Sequence, residues 1–168
     1  MTRTTERVGG IVLCGGQSRR MGTPKAWLSF GSEFLLCRVV RIVSEVVSPV
    51  VVVGRKGQDL PPLPSDVQTL HDRIADSGPL AGIDVGFEAL TDRCSAAFVT
   101  SCDHPLLTAS VVMRMVDWLG DAPGVVPSHE NRLYPLTAVY ALTTHDLLRQ
   151  FLADRRLLAH EFAASCGA

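Results

Sequence analysis

Val8-Gly9-Gly10-Ile11-Val12-Leu13-Cys14-Gly15-Gly16-Gln17-Ser18-Arg19-Arg20-Met21-Gly22-Thr23-Pro24-Lys25 starts as a short apolar run and breaks into paired glycines followed by charge. Val8 to Cys14 has the length and composition of a buried strand, whereas Phe34 to Val47 repeats apolar residues at helical spacing through Leu35, Val39, Ile42, Val43 and Val46. A strand, a glycine-rich loop and a helix therefore open the chain. Past Pro49, Val50-Val51-Val52-Val53-Gly54 is β-branched with no polar alternation, as in a strand covered on both faces.

The alternation continues downstream. Val67 to Leu70 is a short strand candidate, and Gly78-Pro79 opens a helix over Leu80 to Leu90. Ala96 to Thr100 reads as another buried strand. Thr108 is placed to cap a helix running to Leu119, with Val111, Val112, Met115 and Trp118 expected on one side. Val125-Val126 and Leu136 to Leu142 read as strands, and Thr144 to Leu152 and Asp154 to Ala164 as helices. Repeated β-α-β order predicts a mostly parallel sheet with helices on both faces, whose ligands bind beyond the carboxyl ends of the strands. With no repeat or linker, residues 1–168 are expected to form one domain.

Composition narrows the function. Among 168 residues, 46% are hydrophobic, and 16 basic groups nearly balance 17 acidic ones, so neither disorder nor a polyanion-binding surface is expected. Nucleic acid and membrane are not expected partners: no apolar stretch is long enough to span a bilayer, and the polar N-terminus lacks a signal-peptide core, which points to the cytoplasm. The five cysteines, Cys14, Cys37, Cys94, Cys102 and Cys166, are scattered without a C-x-x-C pair and read as reduced thiols.

Three segments carry candidate chemistry. Gly15 and Gly16 remove the Cβ atoms that keep a ligand off the backbone, so that N–H groups can converge on phosphate oxygens, with Arg20 and Lys25 adding charge. The loop fits neither the dinucleotide nor the P-loop pattern, and an ordinary surface turn with solvated arginines is the competing reading. Asp103, in Ser101-Cys102-Asp103-His104-Pro105, suits an Mg²⁺ bridging to phosphate oxygens; it equally suits capping of the turn before Pro105. Asp72 precedes Ser77-Gly78-Pro79-Leu80-Ala81-Gly82 and is placed either to orient a ribose or a magnesium water, or simply to occupy a loop before a helix. His104 reads as positioned by its turn, and Arg19 and Arg55 as solvated surface groups.

Taken in order, Leu13-x-Gly15-Gly16-x-Ser18-x-Arg20-Met21-Gly22-x-x-Lys25, then Asp72 with Gly78-Pro79-Leu80-Ala81-Gly82, then Cys102-Asp103-x-Pro105 resemble the motifs of the molybdenum cofactor guanylyltransferases, within the wider nucleotidyltransferase superfamily. The resemblance runs over roughly residues 8–140, with Tyr134-Pro135-Leu136 placed like the family's later substrate-side strand. It implies a three-layer, Rossmann-like α/β fold of the nucleotide-diphospho-sugar transferase type and an enzyme that moves GMP from GTP to the phosphate of molybdopterin, with Mg²⁺ as cofactor. By the same resemblance Leu13, Cys14, Gly15 and Gly16 contact the guanine and sugar, and Asp72 the nucleotide. Lys25 and Arg20 are catalytic through the phosphates, and Asp103 is the metal ligand as well as a nucleotide and catalytic residue. GTP and molybdopterin are the implied small-molecule partners, together with a protein that delivers molybdopterin. A relative using CTP or another acceptor, and a non-catalytic nucleotide-binding module, stay open as alternatives. The sequence departs from the family in three places: Cys14 replaces an alanine, Gly54 stands where an asparagine is usual, and Gly167-Ala168 is not followed by the family's N-x-N-T-P segment.

Overall fold

Two glycines set how closely the layers pack. A Cβ on Gly10 would lie 2.6 Å from Val43 Cγ1, and one on Gly86 would lie 2.6 Å from Ile11 Cδ1, so each helix rests directly on the first strand. The computed structural model describes residues 7–15, 24–73 and 78–167. The N-terminal half comprises β1 (Val8–Leu13), β2 (Ser29–Phe30), β3 (Glu33–Phe34), α1 (Leu35–Ser44), β4 (Val50–Gly54), β5 (Gln68–His71) and α2 (Gly78–Leu90). Then come β6 (Ala96–Ser101), α3 (Ala109–Leu119), β7 (Gly124–Val125), β8 (Ser128–His129), β9 (Arg132–Leu133), β10 (Thr137–Ala141), α4 (His145–Ala153) and α5 (Ala159–Ser165).

Six strands form the main sheet in the order β5-β4-β1-β6-β10-β7. β1 pairs in parallel with both β4 and β6, and β4 with β5; β10 alone runs against its neighbours. Alternation along each strand divides the core. Val12, Val50, Val52, Phe98 and Val139 face α1 and α3, whereas Ile11, Val51, Val53, Val99 and Tyr140 face α2, α4 and α5. The expected three-layer architecture is therefore present.

Thr108 caps α3 as expected, its Oγ1 accepting from Val111 N–H at 3.4 Å. The buried face of that helix is Val112, Met115 and Leu119, so Val112 and Met115 lie on the expected side and the other two residues expected there do not. Val111 and Trp118 lie one helical position off this stripe and are 43% and 66% exposed. The last helix begins at Ala159 rather than Asp154, because Arg155 takes a positive φ of 55° and turns the chain before α5. Two hairpins go beyond the sequence expectations: β2–β3, and β8–β9, whose two-residue loop Glu130-Asn131 has φ of 49° and 62°, as a type I′ turn requires.

Candidate functional site

The parallel strands end together, and those predicted residues that the structure describes sit at that carboxyl edge. Past β1, Cys14 N–H donates to Val53 O at 2.9 Å; past β6, Cys102 N–H donates to Leu13 O at 2.9 Å; past β5, Asp72 N–H donates to Gly54 O at 2.9 Å. The ladder thus runs one residue beyond each strand and brings Leu13, Cys14, Asp72 and the start of the Cys102-Asp103 turn onto one edge. Gly15 follows: its Cβ direction points 3.6 Å from Arg55 Cγ and 3.7 Å from Asp72 Oδ2, so those two side chains flank the glycine closely. Gly16 and Arg20 lie outside the described residues.

Lys25 reaches the edge from a single 3₁₀ turn, Lys25–Trp27. Ala26 in that turn is fully buried in the core, and Trp27 donates from Nε1 to Asp59 O at 3.1 Å and stacks edge-on against Phe34, with ring centroids 5.1 Å apart. Anchored there, Lys25 Nζ donates to Asp103 Oδ2 at 2.6 Å, across 78 residues of sequence. Burial pushes the Asp103 carboxyl up, but hydrogen bonds from Lys25 and Ser101 and the Lys25 charge outweigh it and hold the group below the usual carboxylate range. Its hydrogen bond to Asp103 raises Lys25 in turn. Both groups are therefore ionised at neutral pH.

His104 is held by side chains rather than by the turn alone. Its Nδ1 lies 3.0 Å from Thr137 Oγ1 and 3.2 Å from Thr100 Oγ1. Thr137 Oγ1 also donates to Leu136 O at 2.8 Å, and His104 Nε2 lies 4.0 Å from Asp103 Oδ1. Beside His104 opens a cavity of about 700 Å³, whose lining includes Arg132, Tyr134, Thr137, His160 and Glu161. Tyr134-Pro135-Leu136 is the lead into β10 rather than part of the strand itself.

Cys14 and Cys102 are buried beneath this edge, and desolvation pushes their thiols up to about 12 and about 11, which removes both as nucleophiles at neutral pH. All five cysteines are free. The donor set bears on a metal. Among the described residues no group of three or more His, Cys, Asp or Glu side chains is arranged to hold an ion. An ionised, half-exposed Asp103, with Asp72 on the same edge, nonetheless fits Mg²⁺, which binds through one or two carboxylates, substrate phosphates and water. Three further side chains stand at this edge: Thr137, Arg55 and Gln58. In the sequence Arg55 reads as a solvated surface group, and nothing in the spacing of Thr137 or Gln58 marks them.

The sheet, with β10 reversed and its polar groups gathered at the carboxyl edge, shares the nucleotide-diphospho-sugar transferase fold of the solved nucleotidyltransferases it matches. Molybdopterin-guanine dinucleotide biosynthesis protein A from Archaeoglobus fulgidus superposes with a TM-score of 0.66 at 22% identity, covering 87% of this chain and 73% of that one. The 2-C-methyl-D-erythritol 4-phosphate cytidylyltransferase of Thermus thermophilus does so with a TM-score of 0.72 at 16% identity, covering 96% and 83%. The chain belongs to the MobA-like NTP transferase domain family, which matches residues 10–164. Probable molybdenum cofactor guanylyltransferases from Pelotomaculum thermopropionicum and Mycobacterium ulcerans are 35% and 38% identical over 136 residues, covering 79% and 78% of this chain. The aligned part is 62% and 66% of those relatives, so the chain spans just under two thirds of their length. Among the described residues no helix is long and apolar enough to cross a membrane.

Proposed function

We propose that this chain transfers GMP from GTP to the phosphate of molybdopterin. The observation that carries the reading is the 2.6 Å pair of Lys25 and Asp103, a cation and a carboxylate brought from distant segments to the edge where Gly15 and Asp72 also lie. The names of the relatives supply the base and the acceptor.

In the proposed reaction a phosphate oxygen of molybdopterin attacks the α-phosphorus of GTP in line. A new P–O bond forms as the bond to the β-phosphate breaks, and pyrophosphate leaves with the electron pair. The nucleophile is already an anion, so no side chain need act as a base. Backbone groups from Leu13 to Gly16 hold the guanine and sugar, and Asp72 orients the nucleotide. Lys25 and Arg20 neutralise the phosphate charge, which together with positioning supplies most of the rate. Asp103, kept ionised by Lys25, would hold Mg²⁺, which when bound would offset charge on the phosphate oxygens. A manganese complex is recorded for Rv0371c of Mycobacterium tuberculosis H37Rv, whose fold matches with a TM-score of 0.63 at 15% identity. The cavity beside His104 is roomy enough for the acceptor, with Arg132 and His160 to meet its phosphate and Tyr134 its ring system.

Single-turnover incubation with labelled GTP, molybdopterin and Mg²⁺ tests this. Pyrophosphate release with formation of the dinucleotide is expected. Binding of GTP without pyrophosphate release makes the chain a nucleotide-binding module, and tighter binding of CTP than GTP reassigns the base.

A further inference from the structure

We propose that Gln58 is a positioning residue for the nucleotide end of the site, its side-chain amide holding the loops after β1 and β4 at a fixed separation. The proposal rests on the reading that this edge binds a nucleotide. β1 and β4 are paired in parallel up to Leu13 and Val53, and the backbone ladder closes with Cys14 N–H on Val53 O. Beyond that rung the two chains diverge into Cys14-Gly15 and Gly54-Arg55.

Gln58 spans the gap. Its Nε2 donates to Cys14 O at 3.0 Å, and its Oε1 accepts from Arg55 N–H at 3.0 Å. A carbonyl can only accept and an N–H can only donate, so the two partners fix the orientation of the amide without ambiguity. The side chain adds one rung where the main chain can no longer supply it.

Two local features make this possible. Gln58 N–H donates to Arg55 O at 3.0 Å, closing a turn whose third residue, Gly57, has φ of 74°, and the turn brings the side chain back over the strand end. Gly54 leaves the room: a Cβ there would sit 3.2 Å from Gln58 Oε1 and 3.3 Å from Cys14 Sγ. The consequence falls on Gly15, which lies against Arg55 Cγ and Asp72 Oδ2 only while the two loops stay together. The width of the gap between the β1 and β4 loops is therefore set by a pair of hydrogen bonds from a side chain that itself need not touch the ligand.

Gln58→Met keeps the length and bulk of the side chain and removes both bonds. In the full chain, KM and Kd for Mg-GTP are expected to rise about tenfold with kcat retained, since two modest hydrogen bonds preorganise binding and not the reacting phosphorus. Hydrogen exchange of the Arg55 amide should accelerate in the free protein. A role confined to stability would lower the melting temperature and leave Kd unchanged; that result overturns the proposal, as does a parallel loss of kcat and Kd. If the unaltered protein binds no nucleoside triphosphate, the functional reading itself falls and this role falls with it, an outcome distinct from wild-type affinity in Gln58→Met.

Discussion

Replacing Lys25 by methionine keeps the aliphatic stem and deletes the ammonium, and it separates the folding role of the Lys25–Asp103 pair from its binding role. At 2.6 Å the contact is short, but the side chains are 43% and 37% exposed. Water screens such a pair, so its net contribution to folding is at most about 1 kcal/mol. For a chain of this size that is a fall in Tm of about 2–4 °C. In a nucleotide complex the same ammonium would donate a charge-assisted hydrogen bond to a phosphate oxygen, typically about 1.5–3 kcal/mol, or about a 10- to 150-fold change in Kd. Calorimetric titration of Lys25→Met with Mg-GTP, and separately with GMP, should show a loss in that range for the triphosphate and little change for the monophosphate. Unchanged GTP affinity, or an equal loss for GMP, would refute the placement of Lys25 at the phosphates.

Asp103→Ala should abolish magnesium-dependent pyrophosphate release while leaving the circular dichroism spectrum intact; turnover like that of the unaltered protein would remove Asp103 from the metal site. The pair should also titrate with a definite sign. Asp103 is lowered in the folded state, so its contribution to stability is present above the ordinary carboxylate pKa, about 4, and is lost as pH falls through the folded value; Lys25 is raised, so its contribution is present below about 10.4 and is lost as pH rises through its folded value. NMR titrations should find the Asp103 carboxyl midpoint below, and the Lys25 ammonium midpoint above, the ordinary values of those groups. Gly86→Ala would press a methyl onto the buried Ile11 side chain at 2.6–2.9 Å and should cost about 1–3 kcal/mol, read from denaturant unfolding. In a timed thiol-reagent assay at pH 8, the partly exposed Cys37 and Cys94 should react well before Cys14 and Cys102, whose burial suppresses the thiolate.

The layers were readable because hydrophobic period is a local property. Val50–Gly54 needs no partner to announce a strand buried on both faces, and Thr108 announces its helix by capping chemistry alone. The edge was readable in part, since glycines and carboxylates follow strands at Gly15, Asp72 and Asp103. What escaped depends on geometry that one-dimensional spacing does not hold. Val111 and Val112 have the same hydrophobicity, and only the docking of α3 decides that the second is buried and the first is not. Arg155 adopts a left-handed conformation that its residue type does not advertise. Gln58 looks like any polar loop residue until the turn at Gly57 folds it back over Gly54, and Thr137 acquires its bond to His104 only because β10 pairs antiparallel with β6.

That reversal of β10 divides the edge into two halves of opposite chain direction. Cys14-Gly15, Arg55 and Asp72 are strand exits, reached as the chain leaves the sheet. Tyr134-Pro135-Leu136 is a strand entrance, and the chain joins the sheet where Thr137 pairs with Thr100. The nucleotide half of the edge is thus built from segments leaving the sheet, and the half beside His104 from a segment entering it.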